Sequence, residues 1–140
     1  SEADAILAEL GVDRPTDATR LIEVKDAATL SADMAVHRKR LAFLRADLVV
    51  QSTDLLSAML DDITAVPPTD DKGRAIVPAW EADYRTLLDD RYRYAEELRG
   101  GQNVPFTETA VEGVPITERI ETFAGDNDMP SCGPPRGSIN

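Results

Sequence analysis

Residues 31–65 read SADMAVHRKRLAFLRADLVVQSTDLLSAMLDDITA, and this stretch decides the fold. Met34, His37, Leu41, Leu44, Leu48, Ser52, Leu55, Met59 and Ile63 recur at steps of three or four. That spacing sets side chains on one face of an α-helix. No proline or glycine interrupts the run, and Pro67-Pro68 closes it. Neither proline can donate a backbone N–H, and each biases its predecessor away from helix. A second apolar set, Ala42, Val49, Leu56 and Leu60, lies roughly 100° round the axis. A helix apolar on two faces is packed on two sides, so the sequence predicts the central helix of a bundle. At 1.5 Å per residue it would reach ~52 Å, beyond the ~37 Å diameter of a compact chain of this size. The bundle is therefore expected to be elongated, or the helix to bend at Gln51-Ser52-Thr53, where hydroxyls compete for backbone carbonyls.

Outward from that helix the signals are shorter. Downstream, Pro67 to Val77 reads as a loop, and Pro78 suits a first helical turn. The next helix runs to about Arg99 and stops at Gly100-Gly101. Trp80, Tyr84, Leu87, Leu88, Ala95 and Leu98 form its predicted buried face. Glu81, Arg85, Asp89, Arg93 and Glu97 alternate in sign along a solvated one. Residues 101–115 read as irregular, with Pro105, Gly113 and Pro115 as punctuation. Residues 116–124 read as a short helix stopped by Gly125. Upstream, residues 2–10 carry Ala3, Ile6, Leu7 and Leu10 at helical spacing, and Thr16 or Asp17 can cap a second short helix. The expected architecture is all-α: a small helical bundle over 1–128, elongated or with its long helix bent, and a flexible Pro/Gly-rich tail over 129–140.

Composition narrows the function classes. The 140 residues carry a net charge of −11, from 26 acids against 15 bases. Such a field repels DNA and RNA, so no nucleic-acid partner is expected. No run of apolar residues is long enough for a transmembrane span. With one histidine and one cysteine, Ser-His and Cys-His nucleophilic sites have almost no material. G-x-S-x-G, H-E-x-x-H, phosphate-loop and C-x-x-C motifs are absent from the sequence. The chain is read as no enzyme, with no cofactor.

His37, on the apolar stripe with Asp33 one turn before it, reads as a partly buried structural histidine. Asp61-Asp62, Asp70-Asp71 and Asp126-Asn127-Asp128 invite a calcium reading. The EF-hand spacing fails, because Lys72 and Arg74 fall where oxygen ligands belong, and no metal site is expected. Arg91 is the informative oddity. On the wheel of its helix it falls between Trp80 and Tyr84, mid-way across the apolar face. A charge there must be paired or must snorkel, and Asp47 and Asp54 are the expected partners. The alternative is an anion-binding arginine, giving a small-ligand site of Arg91, Tyr84, Trp80 and Tyr94.

Residues 108–132, ETAVEGVPITERIETFAGDNDMPSC, carry the pattern F-A-x-x-N-x-M-P-x-C from Phe123 to Cys132. This stretch resembles the end of small cell-envelope proteins and lipoproteins of actinobacteria, exported helical domains without an assigned activity. The resemblance implies an extracytoplasmic or envelope-associated location, with the cytoplasm left open. In such proteins a cysteine here pairs with one nearer the start; this chain has no second cysteine. Together these readings predict a non-catalytic binding or structural module for a protein or envelope partner. The small-ligand bundle around Arg91 is the runner-up, and a carboxylate-dependent enzyme stands third.

Overall fold

A computed structural model describes residues 27–102 and 104–135. The described residues are all-α with one minute hairpin. The elements are α1 (Ala27–Thr64), α2 (Asp71–Arg99), β1 (Ala110–Val111), β2 (Val114–Pro115), α3 (Ile116–Asp126) and a 3-10 turn at Pro130–Cys132. The helices expected near residues 2–10 and after Asp17 lie outside the described residues. The chain divides into two compact units, Ser1–Arg40 and Leu41–Asn140. The domain boundary expected at 128 falls inside the second unit.

Three boundaries differ from expectation for identifiable reasons. α2 starts seven residues before Pro78, because Asp70 caps it: the Gly73 N–H donates to the Asp70 carboxylate at 3.1 Å. Pro78 therefore sits inside the helix rather than at its first turn. The 101–115 segment is not wholly irregular, since Val111 and Val114 pair across a tight turn. Both central residues of that turn, Glu112 and Gly113, have positive φ, the twist that suits adjacent antiparallel strands. α3 runs through Gly125 to Asp126. Gln51-Ser52-Thr53 does not interrupt α1; the Ser52 and Thr53 hydroxyls both donate back to the Val49 carbonyl.

Within the second unit, α1 from Leu41 onward runs antiparallel to α2. A polar ladder at heptad steps marks the register. Arg99 donates to Asp47 at 3.0 Å, Tyr92 to Asp54 at 2.5 Å, and Arg85 to Asp61 at 3.1 Å. The Asp54 carboxylate holds the Tyr92 proton and pushes that phenol up to about 12 from its usual 10.0. A folded pKa above the unfolded one contributes stability that is fully present below pH 10 and is lost as pH climbs through about 12. Denaturant melts across that window should show stability falling with rising pH, and the fall should be shallower in Tyr92→Phe. Equal slopes would detach Tyr92 from the alkaline limb.

Among the described residues the core has two apolar clusters. One joins Leu60 to Trp80, Tyr84, Leu87, Leu88, Ile116 and Ile120. The other joins Ala46 and Val49 to Tyr94, Ala95 and Leu98. α3 packs on α2 through Ile116 and Ile120, with Phe123 stacked on Trp80. The segment read as a free tail from residue 129 starts docked. The Trp80 indole N–H donates to the Cys132 carbonyl at 2.9 Å, and the Tyr84 hydroxyl to that of Gly133 at 3.4 Å. An indole and a phenol whose rings are buried need acceptors for their polar ends, and the 130–133 backbone supplies them. Burial pushes the Cys132 thiol above its usual pKa, which keeps it protonated near neutrality.

Among the described residues the two-sided packing expected of α1 is not found. The face of α1 that is buried among them is formed by Ala46, Val49, Thr53 and Leu60, with Leu56 partly covered. Most of the longer stripe points the other way, while its Ser52 and Met59 turn toward α2 and the core. Met34, Leu41, Leu44, Leu48, Leu55 and Ile63 are exposed, and His37 is an exposed residue rather than a partly buried one.

Candidate functional site

Arg91 is 6% exposed and lies on α2 between Leu88 of the first cluster and Tyr94 of the second. Its expected carboxylates are engaged elsewhere: Asp47 with Arg99, and Asp54 with Tyr92. The guanidinium instead donates to hydroxyls, from Nε to Thr53 Oγ1 at 2.9 Å and from a terminal nitrogen to Ser52 Oγ at 2.7 Å. Each hydroxyl passes its own proton to the Val49 carbonyl, so each presents lone pairs to Arg91. Burial lowers the Arg91 pKa, with the neighbouring Tyr84 opposing that shift. Burial also raises the Tyr84 phenol, which stays neutral at ordinary pH.

The four candidate ligand residues do not form one group. Trp80 and Tyr84 pack ring to ring, with centroids 5.5 Å apart, and Tyr84 is electrostatically coupled to Arg91. Tyr94 belongs to the other cluster. It lies edge-on to Phe106, and its hydroxyl accepts from Arg45 at 2.7 Å. Trp80 and Tyr84 direct their polar ends at the 132–133 backbone. The arrangement therefore works as an internal polar layer: a cation and two hydroxyls set between two apolar clusters. A slip of three residues along the seam would set the guanidinium against Val49-Val50 or Leu55-Leu56 in place of the hydroxyls, at a cost of several kcal/mol (~3–5).

No family, no curated protein and no solved structure matches this chain. Function has to be read from its own surface.

That surface carries one feature which sequence reasoning assigned to the core. Leu41, Leu44, Leu48 and Leu55 are 60%, 55%, 65% and 74% exposed. Gln51 and Ala58 complete the same column and are exposed too. Residues 41, 44, 48, 51, 55 and 58 follow the alternating three-four step of a heptad seam. The buried column of 46, 49, 53, 56 and 60 follows the same step. At 100° per residue the two columns lie roughly 150° apart. The leucines thus face away from the core of their own unit. Single exposed apolar residues are ordinary, but a contiguous row of leucines is a mark of an interaction surface.

The second missed element is Asp90, which is 2% exposed. Its carboxylate accepts from the Thr109 N–H at 2.6 Å, the Thr109 hydroxyl at 2.7 Å and Arg93 at 2.9 Å. Glu108 next door accepts from the N–H and hydroxyl of Thr117 in the first turn of α3. Asp90 and Glu108 together pin the 107–109 segment between α2 and α3. The sequence showed Asp90 beside Asp89 in a charged helix and gave no sign that it turned inward.

Three of the aspartates weighed as calcium candidates have structural partners, Asp71 among them, paired with Arg74 at 2.6 Å. Asp70 caps α2 and Asp61 pairs with Arg85. Among the described residues no helix is long and apolar enough to cross a membrane.

Proposed function

We propose that this protein is a non-catalytic interaction module whose docking surface is the leucine row of α1. The observation that carries the reading is the exposure of Leu41, Leu44, Leu48 and Leu55 on a helix whose opposite face already holds the core. The regular heptad step suits a helical partner, because knobs at this spacing enter holes formed by another helix. The ligand-binding alternative loses ground, since Arg91 is enclosed and engaged by Ser52 and Thr53. The resemblance of residues 123–132 to envelope proteins supports a partner at or outside the membrane surface.

A photoreactive residue placed at position 48, in the full chain in its own cell, tests this. One discrete protein adduct is expected. It should vanish when Leu41 and Leu55 are both changed to Glu, and should not form from position 82 on the exposed side of α2. Equal labelling from 48 and 82 would sink the reading.

A further inference from the structure

We infer that Trp80, Tyr84 and Phe123 form a docking groove for an extended, proline-bearing peptide segment, which the chain's own residues 130–135 occupy here. The groove lies apart from the leucine row and does not depend on it. Trp80 is 5.5 Å from Tyr84, centroid to centroid, and stacks on Phe123 at 5.8 Å. This aromatic surface carries two donors, the Trp80 indole N–H and the Tyr84 hydroxyl. Both donate to backbone carbonyls, those of the consecutive residues Cys132 and Gly133.

The segment on the groove has the backbone of a proline-rich ligand. Gly133 has φ −68° and ψ 170°, close to polyproline II. Pro134 and Pro135 follow it. Each fixes its own φ near the same value and biases its predecessor toward extended backbone. Backbone in this form makes no internal hydrogen bonds, so its carbonyls are open to donors from outside. Aromatic-lined grooves hold proline-rich segments in this way.

What the segment gives the groove is mostly main chain. None of the side chains of Pro130, Ser131 and Cys132 is buried. Cys132 is partly covered against the first cluster, and Pro134 and Pro135 are half-buried. The hydrogen bonds to α2 run through carbonyls, which every peptide carries. A core segment is fixed instead by buried side chains, as Ile116 and Ile120 fix α3. Stripped of residues 130–135, the groove would leave two donors and three rings in need of cover. A proline-bearing segment of another chain supplies the same cover. Attachment gives the resident segment a high local concentration, so it acts as a built-in competitor.

Fluorescence anisotropy on the full chain, with a labelled peptide of residues 129–140 carrying Cys132→Ser, tests this. A Cβ at Gly133 would lie 3.2 Å from the Pro130 carbonyl oxygen and 3.9 Å from the Ala124 Cβ. Gly133→Val in the protein should therefore loosen its own segment and leave the three rings in place. The peptide should bind this variant saturably. It should bind the native chain at least about tenfold more weakly, because the resident segment competes. Tyr84→Phe added to Gly133→Val should weaken the peptide by about tenfold, since one donor is lost and the ring is kept. Alanine in place of all three peptide prolines should abolish binding. In the native chain, the Trp80 indole N–H should exchange with solvent faster than the Leu87 and Leu88 amides, because the segment lifts without α2 unfolding.

Indole exchange at the rate of those amides, or loss of the cooperative melt in Gly133→Val, would make residues 130–135 part of the core and overturn the inference. A helical Gly133→Val that ignores the peptide would reduce the groove to an internal contact. Equal binding of the proline-free peptide would remove the stated partner.

Discussion

Leu60→Ala should lower stability by about 3 kcal/mol, and Leu55→Ala by less than about 0.5 kcal/mol. The two leucines are five residues apart on α1 and identical in chemistry. Leu60 is fully buried among Trp80, Tyr84, Leu87 and Leu88. Truncating it removes apolar area from the core and leaves a cavity that the rings of Trp80 and Tyr84 cannot close without leaving their bonds to the 132–133 backbone. Leu55 points into solvent, so its truncation removes little that folding had gained. Denaturant melts should be made at a dilution where light scattering gives a single-chain mass, which separates folding from association. A cost at Leu55 equal to that at Leu60 would mean that the outer face is packed within one chain. That result would remove the basis for a docking surface.

The contrast also shows where the sequence was legible. The 31–65 periodicity predicted a long helix, and α1 spans Ala27–Thr64. The apolar positions of α2 predicted its buried face, and Trp80, Tyr84, Leu87, Leu88, Ala95 and Leu98 are buried. Gly100 stops α2 as expected. These features depend on local propensity and pattern, which one strand of sequence carries. Which of two apolar faces meets the core is not local. Leu41, Leu44, Leu48 and Leu55 are larger and more regular than Ala46, Val49 and Thr53, so pattern alone had both faces packed and did not show that the leucine side is the exposed one.

The smaller residues face inward for a physical reason. Ala46, Val49 and Thr53 lie across from the bulky Tyr94 and Arg91 of α2, and a leucine at those positions would overfill the seam. Leu60 can be large where Ile116 and Ile120 of α3 share its cluster. The partners of Arg91 were missed through the same kind of ambiguity. Asp47 and Asp54 lie on the right side of α1. The antiparallel register carries them past Arg91 to Arg99 and Tyr92 and brings Ser52 and Thr53 alongside instead.

Asp90→Ala should cost about 3 kcal/mol, which at this chain length corresponds to a melting temperature lower by roughly 10 °C. The Asp90 carboxylate satisfies two donors of Thr109 and one of Arg93 in a buried position. Alanine leaves the Thr109 N–H with no acceptor on α2 and frees Arg93 from a charge-assisted bond. Asp90→Asn tests the charge apart from the shape. One oxygen of the carboxylate meets the Thr109 N–H, and the other meets the Thr109 hydroxyl and Arg93. An amide replaces one of them with a donor, so a donor must face a donor; about 2 kcal/mol is the expected loss. Glu108→Gln should cost less, about 1 kcal/mol, because its two donors lie at the partly exposed start of α3. Hydrogen exchange at Thr109 and Thr117 gives the local readout. Asp90→Ala should speed both, since the pinned segment also carries the cap of α3. Glu108→Gln should speed Thr117 alone. If Asp90→Ala costs under about 1 kcal/mol and Thr109 exchange is unchanged, the segment is held by Phe106 and Val111 against the core, and the carboxylate is not its anchor.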